Sequence, residues 1–264
     1  MLRQRIITAL ALGALALIVI FLLPHTAFMG VLALLVVAGA WEWSVFPGFT
    51  GYPARLAYVA VVALGVAATW YLAAGGMRLD SLLYAAVAWW VVALAWLLIV
   101  PSTVNAFSAA VAGMFVLVPA WWALVRLHAH GPAVMLFLLL LVVAADVGAY
   151  FAGRQFGRNK LAPRVSPGKT WEGVLGGLLG AALIALVGVA WFGVPAVPFV
   201  ALCIVAVLAS IVGDLTESLF KRHAGVKDSG TLLPGHGGVL DRVDSVTAAA
   251  PVFLLGLERL GLFR

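Results

Sequence analysis

Charge is scarce in this chain. Asp, Glu, Lys and Arg together make up 10% of its 264 residues, where a soluble domain carries about 25%. That shortage, with 65% hydrophobic residues and a mean hydropathy of +1.15, excludes a water-soluble fold. No polar stretch is long enough for a separate soluble domain, so residues 1–264 read as one integral membrane domain. Cysteine is nearly absent: the single Cys203, in an apolar run, excludes a disulfide framework and reads as inert packing. No internal repeat and no low-complexity tail stand out. The net charge of +6 does not call for nucleic acid as a partner, because membrane proteins collect cations on cytoplasmic loops facing anionic headgroups.

What is present is a series of apolar runs. A helix needs roughly 20 apolar residues to cross the hydrocarbon core. Nine runs qualify, at 6–23, 27–46, 56–74, 82–100, 105–125, 132–151, 173–192, 196–213 and 245–262. This pattern predicts an all-α polytopic membrane protein of about nine transmembrane helices. The fifth run contains Asn105 and Pro119, the ninth Pro251 and Glu258. Arg3 and Arg5 before the first run resemble the start of a signal peptide, but its 18 apolar residues read as a retained span. Trp41, Trp43, Trp89, Trp90, Trp121 and Trp122 lie near predicted helix ends, as interface anchors do.

Loop charges orient the spans. Arg3, Arg5, Arg55, Arg154, Arg158, Lys160, Arg164, Lys169, Lys221, Arg222, Lys227 and Arg242 fall on one side; Arg78, Arg126, Arg259 and Arg264 fall on the other. This asymmetry predicts a cytoplasmic N-terminus and places both long polar segments, 152–172 and 214–244, on the cytoplasmic face. Separated by two spans, the two segments can converge on one active site.

Segment 214–244 holds five of the ten carboxylates and four of the sixteen Lys and Arg residues. Asp214, Glu217, Ser218 and Lys221 share one face if the eighth helix continues through them. The plain alternative is a Glu217–Lys221 surface pair, which leaves unexplained Asp214, an acid at membrane depth and thus a functional candidate. Asp241 and Asp244 point to one side of a helix that starts near Leu240. They read either as helix-capping acids or, with Asp214 and Asp228, as oxygen ligands suited to Mg²⁺. The turn Pro234-Gly235-His236-Gly237-Gly238 lets backbone N–H groups approach an anion, with His236 as ligand, phosphate donor or simple turn residue. Lys221, Arg222, Lys227 and Arg242 read as phosphate contacts or as topology signals.

Segment 152–172 adds Ser166, Lys169 and Thr170 at the mouth of the seventh span, where a helix N-terminus beside a lysine suits an anion. The spacing is not that of a P-loop. Asp146 in the sixth span, with Tyr150 and Arg154 on the same face, needs a partner or extends the polar site. Glu42 in the second span reads as a structural interhelical hydrogen bond.

The pattern Ser218-x2-Lys221-Arg222-x4-Lys227-Asp228-x-Gly230-x3-Pro234-Gly235-His236-Gly237-Gly238-x2-Asp241-Arg242-x-Asp244 resembles the signature of the phosphatidate cytidylyltransferases, also called CDP-diacylglycerol synthases. Shorter elements are similar too: Ser166 to Gly173, Asp146 to Arg154, Trp41-Glu42-Trp43, and Arg3 with Arg5. The resemblance implies transfer of cytidylyl from CTP to phosphatidate, giving CDP-diacylglycerol and pyrophosphate. It implies Mg²⁺ on Asp214 and Asp241, with room for a monovalent cation such as K⁺. Lys221, Arg222, Asp228, Asp241 and Asp244 would be catalytic. Ser166, Lys169, Thr170, Ser218, Lys227, His236, Gly237 and Arg242 would bind substrate. A multi-pass protein of a bacterial inner membrane follows, with CTP, phosphatidate and bilayer lipids as partners; a homodimer is compatible. The rival readings are an ion-coupled transporter using Asp146, Glu42 and Asp214, and another membrane transferase acting on a lipid phosphate.

Overall fold

The computed structural model describes residues 2–99, 104–232 and 237–262. Among these, nine helices carry the fold: α1 (Leu2–Leu22), α2 (His25–Trp43), α3 (Tyr52–Ala74), α4 (Asp80–Ile99), α5 (Ala106–His130), α6 (Pro132–Phe156), α7 (Trp171–Phe192), α8 (Ala196–His223) and α9 (Leu240–Leu260). They match the nine expected spans in order, so the protein is all-α and multi-pass. Seven, α2 to α8, are long and apolar enough to cross a membrane. The apolar part of α1 that can be described is shorter, Leu10–Leu22, and α9 is the most polar of the set. The reason α9 manages with less apolar surface is its place: Ala248, Ala249, Ala250, Phe253 and Leu254 are wholly buried in protein.

Several ends lie beyond the expected ones, each with a local cause. Asn105 caps α5, its Oδ1 accepting from Ser108 N at 2.9 Å while its own backbone N–H donates to Ser108 Oγ at 3.0 Å. That helix absorbs Pro119 and runs on to His130. Helix α6 continues past residue 151 to Phe156, and α8 continues through the polar residues to His223. Segment 152–172 is therefore not all loop: after α6 it folds into a two-stranded antiparallel hairpin, β1 (Lys160–Ala162) with β2 (Ser166–Thr170). Glu172 organises its closing end, accepting from Asn159 Nδ2 at 2.9 Å and from Asn159 N at 3.2 Å.

The tightest pair is α6 against α7, and small residues are the reason. A Cβ on Gly148 would lie 2.4 Å from Gly176 O, and one on Gly180 would lie 2.7 Å from Ala144 O. Backbones this close suit helices in lipid, where association rests on packing rather than on expelling water. Four of the six tryptophans expected as interface anchors pack inside the protein instead, while Trp41 and Trp89 are partly exposed. Trp43, Trp90, Trp121 and Trp122 are buried between helices, and Trp43 Nε1 donates to Ala109 O at 2.8 Å, satisfying its only polar group.

The alternation of helices brings the ends of α2, α6 and α8 and the starts of α7 and α9 to one end of the bundle. There Glu42 meets Leu240, and Lys169 meets Asp214. Both polar segments share that end. At the other end lie a cavity of about 610 Å³ and the pairs Arg126–Glu258 (2.7 Å) and Arg259–Asp80 (3.3 Å).

Candidate active site

Two connected groups of charge form at the shared end. The first lines a cleft of about 410 Å³ between α6, α7 and α8, walled by Asp146, Tyr150, Arg154, Lys169, Thr170, Asp214 and Ser245. Helix periodicity puts Asp146, Tyr150 and Arg154 on one face of α6, where Arg154 Nη1 donates to Tyr150 OH at 3.1 Å. Lys169, near the end of β2, forms an ion pair with Asp214 from α8. Ser218 Oγ stands 3.4 Å from Asp214 Oδ1, one turn along α8. Thr170 caps α7, its Oγ1 accepting from Gly173 N at 3.1 Å. That bond uses the oxygen only as acceptor and leaves the hydroxyl proton for a donor contact.

The second group sits one step further along α8. Lys221 Nζ lies 2.7 Å from Asp241 Oδ1 and 3.1 Å from Glu217 Oε1, and all three side chains are at most 11% exposed. Glu217 and Lys221 thus do pair, but in the interior rather than on a surface. The second oxygen of Asp241 accepts from Ser229 N (2.9 Å), Ser229 Oγ (3.0 Å) and Gly238 N (2.9 Å). Burial opposes the charge on Asp241, yet the hydrogen bonds from Lys221, Gly238 and Ser229 hold its carboxyl below the usual range. Gly237, at φ +83°, wedges between two acids: an added Cβ would stand 2.8 Å from Asp241 Oδ2 and 3.5 Å from Asp228 Cβ. A left-handed turn in that space demands glycine.

Asp244 joins the groups. It stands on the polar first turn of α9, ahead of the apolar stretch, where α8 comes closest: a Cβ on Gly213 would lie 2.7 Å from Asp244 O. Burial, then the nearby Asp214 carboxylate, raises its carboxyl well above the ordinary range.

The remaining expected residues lie around this core. Arg222 Nε donates to Val165 O at 3.3 Å and ties α8 to the hairpin. Ser166 opens β2, and Lys227 and Asp228 are exposed on the connection to α9. Arg242 is exposed on the first turn of α9. His236, with Pro234 and Gly235, lies outside the described residues.

Glu42 does more than bridge two helices. Its Oε1 accepts from Val239 N at 3.0 Å, and its Oε2 accepts from Leu240 N at 2.9 Å and Ser229 Oγ at 3.1 Å. An acid beside two tryptophans near a helix end was the only sequence signal for it. Nothing in the sequence marked Ser229 or Ser245.

The chain is similar to known proteins over nearly its whole length. The chain matches the cytidylyltransferase family over residues 3–259. It is 45% identical over 278 residues to a phosphatidate cytidylyltransferase of Pseudomonas aeruginosa, covering 96% of each chain. A protein of the same name from Haemophilus influenzae is 39% identical, covering 96% of this chain and 97% of its own. One from Brucella suis is 50% identical over a 133-residue stretch, 47% of each chain.

Proposed function

The chain belongs to the cytidylyltransferase family, and from that premise we propose that it transfers the cytidylyl group of CTP to phosphatidate, giving CDP-diacylglycerol and pyrophosphate. A phosphate oxygen of the lipid attacks the α-phosphorus of CTP; the bond to the β-phosphate oxygen breaks and pyrophosphate departs. The observation that carries the reading is the paired arrangement Lys169–Asp214 and Lys221–Asp241 at one end of a hydrophobic bundle. A lipid phosphate and a nucleotide can meet there while the acyl chains stay among the helices.

The attacking group needs no strong base, because the second pKa of a phosphate monoester is about 6. The difficulty is to bring two polyanions together. Lys169, Lys221, Arg222 and Arg242 supply the cations that screen the repulsion and grip phosphate oxygens. When phosphates arrive, each lysine has a stronger partner than its present acid. Asp214 and Asp241 would be the residues to hold a divalent cation, with Asp228 and Asp244 as further carboxylates of the same end.

The donor set suits Mg²⁺, which takes one or two carboxylates and shares substrate phosphates rather than needing a closed protein cage. Among the described residues no three His, Cys, Asp or Glu side chains form such a cage. Bound there, Mg²⁺ would offset charge on the α-phosphate and the departing pyrophosphate, with room for a monovalent ion such as K⁺. Ser166, Ser218, Lys227, His236 and Gly237 are proposed substrate contacts. We place the site on the cytoplasmic face of a bacterial inner membrane, on the loop-charge asymmetry and on the bacterial origin of the relatives.

The test is direct. Membranes containing the protein, given labelled CTP, Mg²⁺ and phosphatidate, should yield a lipid-extractable cytidine product and pyrophosphate in equal amounts. Product without added phosphatidate, or none above control membranes, would overturn the reading.

A further inference from the structure

Helix α9 carries Asp241 and Asp244, yet it has no side-chain cap of its own. Its N-cap residue, Val239, offers no side-chain hydrogen bond, although the first N–H groups of any helix lack partners within it. The cap comes from elsewhere in the chain. Glu42, at the end of α2 and only 2% exposed, takes Val239 N on one oxygen and Leu240 N on the other. A carboxylate is favoured there by both the free donors and the helix dipole.

The same carboxylate reaches the site through one hydroxyl. Ser229 Oγ lies 3.1 Å from Glu42 Oε2 and 3.0 Å from Asp241 Oδ2. A serine has one proton to donate, so it serves two competing carboxylates. Gly238 presses on the same point, since an added Cβ would lie 2.5 Å from Glu42 Oε2 and 2.1 Å from Ser229 Oγ. Gly238 N in turn donates to Asp241 at 2.9 Å. Glu42 therefore holds Ser229 by its hydroxyl and the chain directly after Gly238 by the N–H groups of Val239 and Leu240, next to the two backbone donors that orient Asp241.

We propose that Glu42 is a positioning residue for the transfer reaction, acting through Ser229 and the start of α9 to set Asp241 for its cation. Without a cation, the Ser229 proton is divided between the two acids. When Asp241 turns to a cation, Ser229 donates wholly to Glu42 and stays tied to the start of α9. Buried partners that orient a metal ligand are worth about tenfold to a hundredfold in affinity or activity. The inference rests on the cytidylyltransferase reading for its kinetic arm and stands free of it for its structural arm.

The experiment compares the full chain with Glu42→Gln and Ser229→Ala in purified, folded protein. Gln keeps the size of the side chain but replaces one acceptor oxygen with a donor. The first readout is amide hydrogen exchange over residues 226–244, which needs no activity. Exchange should quicken in Glu42→Gln, and added Mg²⁺ should slow it in the parent more than in either variant. The second is turnover against Mg²⁺: the half-saturating concentration should rise about tenfold or more in both variants, with the KM for phosphatidate unmoved. A purely structural role would lower the melting temperature and leave the Mg²⁺ dependence of each folded molecule as it was. Unchanged exchange, or an unshifted Mg²⁺ midpoint in both variants of an active enzyme, would overturn the proposal. If the parent makes no lipid product, the reaction reading fails, and the Mg²⁺-dependent difference in exchange still decides the role of Glu42.

Discussion

Lys221 sets its ammonium 2.7 Å from Asp241 and 3.1 Å from Glu217, so one cation in the interior answers two acids on two helices. Removing one partner of a buried ion pair costs more than the pair is worth, because a charge is left stranded. Lys221→Met should therefore destabilise the fold by about 3 kcal/mol and abolish transfer. Adding Asp241→Asn to it should restore part of the melting temperature in detergent and none of the activity. A double variant no more stable than Lys221→Met would contradict the pairing.

Lys169 reaches the cleft from β2 and pairs with Asp214. If its working partner is a nucleotide phosphate, Lys169→Ala should raise the KM for CTP about tenfold or more, a loss of the size expected for one charged contact. The KM for phosphatidate should move less. An unchanged CTP dependence would return the hairpin to a topological role.

The α6–α7 contact is testable by one methyl group. Gly148→Ala brings a Cβ to 2.4 Å from Gly176 O, so the helices must part, at about 1–3 kcal/mol for overpacking. Gly168→Ala, with nothing within 4 Å, is the control and should melt with the parent. Equal melting temperatures for the two variants would contradict the close approach.

Sidedness has its own test. Cys203 is wholly buried, so it gives no labelling background. A cysteine introduced at Lys160 should resist an impermeant thiol reagent in intact cells, and one at Arg78 should react. The reverse pattern would invert the topology.

The sequence made the helices legible because apolar runs of bilayer length have few other uses. The site was half legible. Acids and bases clustered in 214–244 mark chemistry wherever they occur in a greasy chain, and the heptad-like placement of Asp214, Glu217 and Lys221 foretold their shared face. What escaped is tertiary. Asp241 is oriented by Ser229 and Gly238 and backed by Glu42, nearly two hundred residues earlier, a link no local spacing reveals. The capping work of Thr170 was hidden for a related reason, since a threonine before a helix reads equally as cap or ligand. Trp43, Trp90, Trp121 and Trp122 misled because an indole at a helix end suits both a headgroup layer and a helix interface, and only packing distinguishes them. The glycines of α7 carried a packing signal in plain view, at the four-residue spacing of Gly173 with Gly177 and Gly176 with Gly180.

The central claim is that Asp214 and Asp241 hold the cation that makes transfer possible. The measurement is turnover of CTP and phosphatidate against Mg²⁺ concentration for Asp214→Asn and Asp241→Asn in purified, folded protein. Asn keeps the size of the side chain and removes its charge. Loss of a catalytic metal interaction should slow turnover about a thousandfold or more in each, with Asp241→Asn melting lower than Asp214→Asn because it also takes a partner from buried Lys221. Near-parental turnover with an unshifted Mg²⁺ optimum in both variants would contradict the assignment.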